Sequence, residues 1–222
     1  MSALLAVLRR DLTLALRQGG GFGMALGFFL TVMVLIPLAV GPDLALLQRI
    51  APGLLWITML LSVLLSADRI YQADYDDGSL ELMTVAPMPL ELTVVAKSLA
   101  HWLASGLPMA IAAPALGLLL NLDSAVVPSL MLAMVTGSLA LSLIASLAAA
   151  VVVGLRRGGL LLSLLALPLY VPVMIFGISA STPDPLAPAT SSHALLILVA
   201  IVLVTLVVTP IAGAAAIRAH LR

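Results

Sequence analysis

Six apolar runs dominate this chain, each near or above the ~20 helical residues that cross a ~30 Å hydrocarbon core. They occupy roughly 21–41, 51–67, 98–122, 126–153, 159–180 and 194–217. Backbone amides cannot stay unpaired in lipid, so the runs predict an all-α integral membrane protein with six transmembrane helices. The composition agrees: 63% of the 222 residues are hydrophobic and 9% charged, against ~45–50% and ~25% in a soluble domain.

Charge placement then predicts orientation. Nine of the ten Lys and Arg residues fall on one side of these runs. Arg9, Arg10 and Arg17 precede the first run, and Arg69 and Lys97 bound the second connection. Arg156 and Arg157 sit in the fourth connection, and Arg218 and Arg222 in the tail; Arg49 alone falls opposite. The positive-inside rule puts the larger group, and both termini, in the cytoplasm, with 42–50, 123–125 and 181–193 outside. The first run lasts about twenty residues and ends Ala39-Val40-Gly41-Pro42-Asp43 with no A-x-A-like site, so it reads as a retained span rather than a signal peptide.

Residues 4–18 carry a helical pattern of their own. Leu4, Leu5, Leu8, Leu12, Ala15 and Leu16 share one face of a helical wheel, and Arg9, Arg10, Thr13 and Arg17 share the other. Such a helix lies in the headgroup plane with its Arg side chains toward phosphates. Gly19-Gly20-Gly21 then lets the chain turn into the first span. The expected division is therefore an interfacial helix, 1–20, and a six-span permease domain, 21–222, with a cytoplasmic segment at 68–97.

Several function classes are excluded or disfavoured. Formal net charge is zero, so nothing suggests a nucleic-acid partner. The absence of Cys excludes thiol redox chemistry and Cys-ligated metal. There is no G-x-x-x-x-G-K-[ST], G-x-S-x-G or H-E-x-x-H, so the chain reads as a non-enzyme without a nucleotide site of its own. No run as bounded above contains Asp, Glu, Lys or Arg, which argues against an ion-driven carrier. Pro108, Pro114, Pro168, Pro172 and Pro210 should kink or break their spans. In the fourth run Ser138, Ser142, Ser146, Ala150 and Gly154 recur every four residues, a helix-packing face within the bundle or between protomers.

The most specific local signal lies in 68–91, which holds six carboxylates against one Arg. Placing Gly78 at position six of a calcium loop puts Ala73, Tyr75 and Thr84 at positions one, three and twelve, so that match fails. A short acidic helix fits better. Gly78 ends one helix, Asp77 or Ser79 caps the next, Glu81 sits in its first turn, and Pro87 and Pro89 end it. Leu80, Leu82 and Met83 are then available for contact just below the membrane. The three His residues are weighed as haem or metal ligands. His101 beside Trp102 reads first as an interfacial anchor, His193 as a capping or solvated residue on the outer side, and His220 as solvated. His101, Trp102 and His193 are the candidate haem-proximal residues, and no metal site is expected.

These features together resemble the CcmB family, the permease subunit of the ABC-type haem exporter for cytochrome c maturation. The resemblance covers nearly the whole chain. It rests on Arg49-Ile-Ala-Pro-Gly-Leu-Leu-Trp56, on Asp77-Gly-Ser-Leu-Glu81 and on Ala96-Lys-Ser-Leu-Ala-His-Trp102 with Gly106-Leu-Pro108. Gly154-Leu-Arg-Arg-Gly-Gly-Leu-Leu-Leu-Ser163 followed by Leu167-Pro168 completes it. Gly78-Ser79-Leu80-Glu81 before Pro87 also resembles the coupling-helix signature of type-2 ABC permeases. The resemblance implies a separate ATPase subunit that binds ATP, a haem-handling membrane subunit with a tryptophan-rich outer segment, a small accessory membrane subunit and a periplasmic haem chaperone. It implies the bacterial inner membrane or its organellar equivalent, with haem as a possible substrate and no cofactor bound by this subunit. The expected ATPase-coupling residues are Asp74, Asp76, Asp77, Gly78, Ser79, Leu80, Glu81, Met83 and Pro87. The alternative is a non-transporting scaffold that holds haem-handling subunits together.

Overall fold

The computed structural model describes residues 3–18, 22–155, 158–182 and 188–221. The turn expected at Gly19-Gly20-Gly21, the basic pair Arg156 and Arg157, most of the Pro-rich connection and Arg222 lie outside the described residues. Among those described, every regular element is helical. A short helix α1 (Ala3–Gln18) precedes α2 (Phe22–Val40) and α3 (Leu44–Ala67). Two short helices, α4 (Arg69–Asp76) and α5 (Ser79–Val85), lead to α6 (Leu90–His101). A π-helical segment, Trp102–Gly106, joins α6 to α7 (Leu107–Leu119). Then come α8 (Val127–Val152), α9 (Gly158–Ser181) and α10 (Pro188–His220).

Six helical stretches are long and apolar enough to cross a membrane: Gly23–Val40, Leu44–Asp76, Leu90–Leu119, Ser124–Val152, Gly158–Ser181 and Ala189–His220. The second and third exceed their sequence-based bounds. Helix α3 runs on through α4, and α6 starts directly after Pro89, whose carbonyl accepts from the N–H groups of Leu92 and Thr93. Nothing from Leu90 to Ser98 opposes a helix, so polarity alone set the expected boundary at 98 too late. As a result the expectation of uncharged spans does not hold at helix ends. Glu91 and Lys97 belong to the third membrane helix, and Arg49, Asp68, Arg69, Asp74 and Asp76 to the second. Lys97 lies about 10 Å along its helix from Leu90 at 1.5 Å per residue.

The prolines do not break the spans. Pro37, Pro52, Pro114, Pro168, Pro172 and Pro210 all sit inside continuous helices. Pro108 is the second residue after the π segment, where its ring would otherwise meet the carbonyl four residues back; the widened turn is the accommodation.

Helix α8 is the centre of the bundle and touches α3, α4, α6, α7, α9 and α10. Its small-residue ridge packs inside this molecule. Ser138, Ser142, Ser146 and Ala150 are all fully buried. Ser138 accepts a 3.0 Å hydrogen bond from Trp102 Nε1, and Ser146 Oγ lies 2.8 Å from the Tyr71 hydroxyl. Gly154, just past the helix, has φ +78°, and a methyl group there would sit 2.7 Å from the Tyr75 ring.

A close apolar contact involves Trp56, which is fully buried. Its ring is wedged between Gly137 of α8 and Gly177 of α9, where added Cβ atoms would fall 2.3 Å and 2.4 Å from it. Its Nε1 donates to Ser181 Oγ at 2.9 Å. Ser181, expected to open the outer connection, is therefore the buried last residue of α9.

Candidate functional site

Helix α1 and the last turns of α10 come to one end of the bundle. Arg218 Nη1 donates to Glu91 Oε1 at 2.8 Å, and His220 Nε2 lies 2.8 Å from the Val151 carbonyl. Helix α1 packs against α6 at the same end, where α4 and α5 also lie. Arg9, Arg10, Arg69, Lys97 and Arg218 gather here, and it is called the basic end below.

The helix expected after Gly78 is present with the expected stops. Gly78 adopts φ +77°, a left-handed turn that glycine enters without steric cost. Asp77 Oδ1 accepts from the Ser79 N–H at 2.8 Å, and α5 runs Ser79–Val85 before Pro87 and Pro89. The Ser79 hydroxyl and N–H hold the Asp77 carboxyl below its ordinary range. Thr84 Oγ1 donates to the Glu81 carbonyl at 2.7 Å.

Its two faces differ sharply. Leu80 is fully buried and anchors the helix, with Met83 partly buried beside the core. Leu80 was expected to be free for a partner; the docking of α5 on α4 and α6 turns it inward instead. Leu82 and Val85 are 70% and 80% exposed. Asp76, Asp77, Glu81 and Pro87 are exposed as well. The open face therefore pairs carboxylates with two large apolar side chains.

Asp74 parts from this group. It is buried and belongs to a cluster of four charges that sequence reasoning did not assemble. Arg10 Nη1 bonds Asp11 Oδ1 at 3.2 Å, and Arg10 Nη2 pairs with Asp74. Lys97 Nζ bonds Asp11 Oδ2 at 2.8 Å and also pairs with Asp74. It donates further to the Ile70 carbonyl at 3.2 Å and stands 5.7 Å above the Tyr71 ring. Lys97 and Asp74 side chains are only 2% and 7% exposed. Two cations and two carboxylates balance, as buried charges must. Removing one member of such a buried set costs about 3–5 kcal/mol, because its partner is left uncompensated. Arg10, expected to point at headgroups, turns inward to this cluster, whereas Arg9 is exposed.

An open cleft of about 550 Å³ borders the cluster, lined among others by Asp68, Arg69, Asp74, Lys97 and His101. His101 is buried, not interfacial, because α6 begins three turns before it. Its Nε2 lies 3.0 Å from Ser66 Oγ and 3.4 Å from Ser105 Oγ. Trp102 beside it is engaged with Ser138. His193 is exposed at the start of α10, at the far end of the bundle, so the candidate haem-proximal residues do not converge. Among the described residues, no three His, Asp or Glu side chains gather as a metal site.

Six spanning helices with short connections define a polytopic helical membrane protein. The CcmB protein family model matches residues 2–220, and the chain belongs to that family. It is 55% identical over 217 residues to heme exporter protein B of Paracoccus denitrificans, covering 98% of this chain and 99% of that protein. The corresponding protein of Bradyrhizobium diazoefficiens is 50% identical over 218 residues, covering 98% of each. Heme exporter protein B of Escherichia coli K12 is 38% identical over 212 residues, covering 96% of each.

Proposed function

We propose that this chain is the membrane permease subunit of an ATP-driven complex that serves c-type cytochrome maturation by exporting haem or releasing a haem-loaded chaperone. The observation that carries this reading is its near end-to-end similarity to proteins named heme exporter protein B. The chain is not itself an enzyme; ATP is bound by a separate ATPase subunit. That subunit docks at the basic end, on the open face of α5, where Asp76, Asp77, Glu81, Leu82 and Val85 offer mixed acidic and apolar contact. A haem-handling membrane subunit, a small accessory membrane subunit and a periplasmic haem chaperone complete the complex. Haem enters this reading as the exported substrate or as the cargo of the released chaperone, not as a cofactor of this chain. In this reading no haem is resident on this subunit, and His101, buried with its Nε2 3.0 Å from Ser66 Oγ, serves the packing of its helix.

A pull-down in mild detergent, with haem spectra and an ATPase assay on the eluate, tests this reading. ATP hydrolysis and haem should appear in the eluate with partners present, and a partner-free preparation should show no stoichiometric Soret band. A partner-free Soret band lost in His101→Ala would overturn the haem assignment. An eluate without ATPase would overturn the function.

The setting is the bacterial inner membrane, with α1 in the interface and the basic end in the cytoplasm, which the clustering of basic residues supports. The chain has no Cys, so single reporters can be read cleanly. His193→Cys should react with an impermeant reagent in sealed cells, and Leu82→Cys only after lysis. The opposite pattern would invert the topology.

A further inference from the structure

Lys97 is placed where three elements meet. It belongs to α6, the start of the third membrane helix. Its ammonium reaches Asp11 on α1 and Asp74 and the Ile70 carbonyl on α4. It also stands over Tyr71 of α4, whose hydroxyl contacts Ser146 at the centre of α8. Helix α5 packs on α4 and α6, so displacement of α5 enters the bundle through the two helices that Lys97 ties together. Four donor and aromatic contacts on one buried ammonium exceed what charge balance alone requires.

We infer that Lys97 is a positioning residue for coupling: it locks α4, and through it α5, to the third membrane helix and to α1, so that force on α5 moves these elements as one body. This rests on the permease reading above and adds the route by which motion leaves α5. A merely structural role would need only that the buried charges cancel. A positioning role needs Lys97's own contacts.

Charge-balanced variants separate the two. Lys97→Met with Asp74→Asn leaves the Arg10–Asp11 pair and no net charge. Lys97→Met with Asp11→Asn leaves Arg10–Asp74 and no net charge. The wild-type complex is assayed first for ATPase co-purification; its failure would strike the permease reading, not this one. With that in hand, either double variant that reaches wild-type membrane level should keep the ATPase on pull-down yet lose about tenfold in c-type cytochrome output. Lys97→Arg, which keeps the charge and several donors, should recover most of the output. Spin labels on Leu5→Cys and Leu82→Cys give a readout independent of output. Their distance distribution should be narrow in the otherwise unaltered chain and several-fold broader in a double variant. Should neither double variant accumulate, Lys97→Gln with Asp74→Asn, which also leaves no net charge but keeps a polar side chain at 97, serves the same purpose. Wild-type output in a double variant, or an unchanged distribution, would overturn the proposal.

Discussion

Trp56 and Lys97 are both buried, yet they are held in opposite ways. Trp56 is fixed by shape. Glycines on two neighbouring helices close on its faces, and one hydrogen bond to Ser181 satisfies its only polar atom. Lys97 is fixed by charge, with carboxylates from two helices and a carbonyl from one of them. Inside lipid no hydrophobic force drives helices together, so close approach at small residues does the work. At the basic end, an ion cluster ties the helices instead. Shape contacts resist movement in every direction, whereas ion pairs fix particular elements to one another. The part of the molecule that would receive a partner's motion is the part built from ion pairs.

The contrast can be broken from either side. Lys97→Met alone should have the largest effect, about 3–5 kcal/mol, because Asp11 and Asp74 are left with one cation between them. Heated detergent extracts run on a sizing column should show the folded peak lost at lower temperature. Adding Asp74→Asn should restore most of that loss, and absence of any restoration would mean the cluster is not balanced as described. Gly177→Ala should follow at about 1–3 kcal/mol, since the new methyl group overlaps a ring that Gly137 prevents from retreating. Its remedy is steric, not electrostatic: Trp56→Leu should relieve Gly177→Ala and leave Lys97→Met unimproved.

The gross plan was legible because span length and hydropathy are properties of contiguous residues. So was α5, whose limits are written locally in Gly78, Pro87 and Pro89. What lay hidden depends on pairs far apart in the chain. Asp11 and Lys97 are 86 positions apart, and Arg10 and Asp74 are 64. One signal was present: Lys97 stands alone between Val94-Val95-Ala96 and Ser98-Leu99-Ala100, where a solvated lysine has no reason to be. The inward turn of Leu80 could not be read, since a seven-residue helix shows which face is buried only once it docks. The Trp56 wedge draws on three separate helices, and Gly137 beside the Ser138 ridge was its sole hint.

The open face of α5 carries the central claim, and Glu81→Arg tests it most directly. Residue 81 is exposed and its side chain has no hydrogen bond or ion pair among those described, so folding should be untouched. Glu91→Arg is the comparison: it breaks the exposed pair with Arg218 and should cost about 1 kcal/mol or less. With membrane levels matched by immunoblot, Glu81→Arg should lose the ATPase on pull-down and c-type cytochrome production, while Glu91→Arg keeps most of both. If Glu81→Arg retains the ATPase and supports full cytochrome c maturation, α5 is not where the ATPase engages this chain.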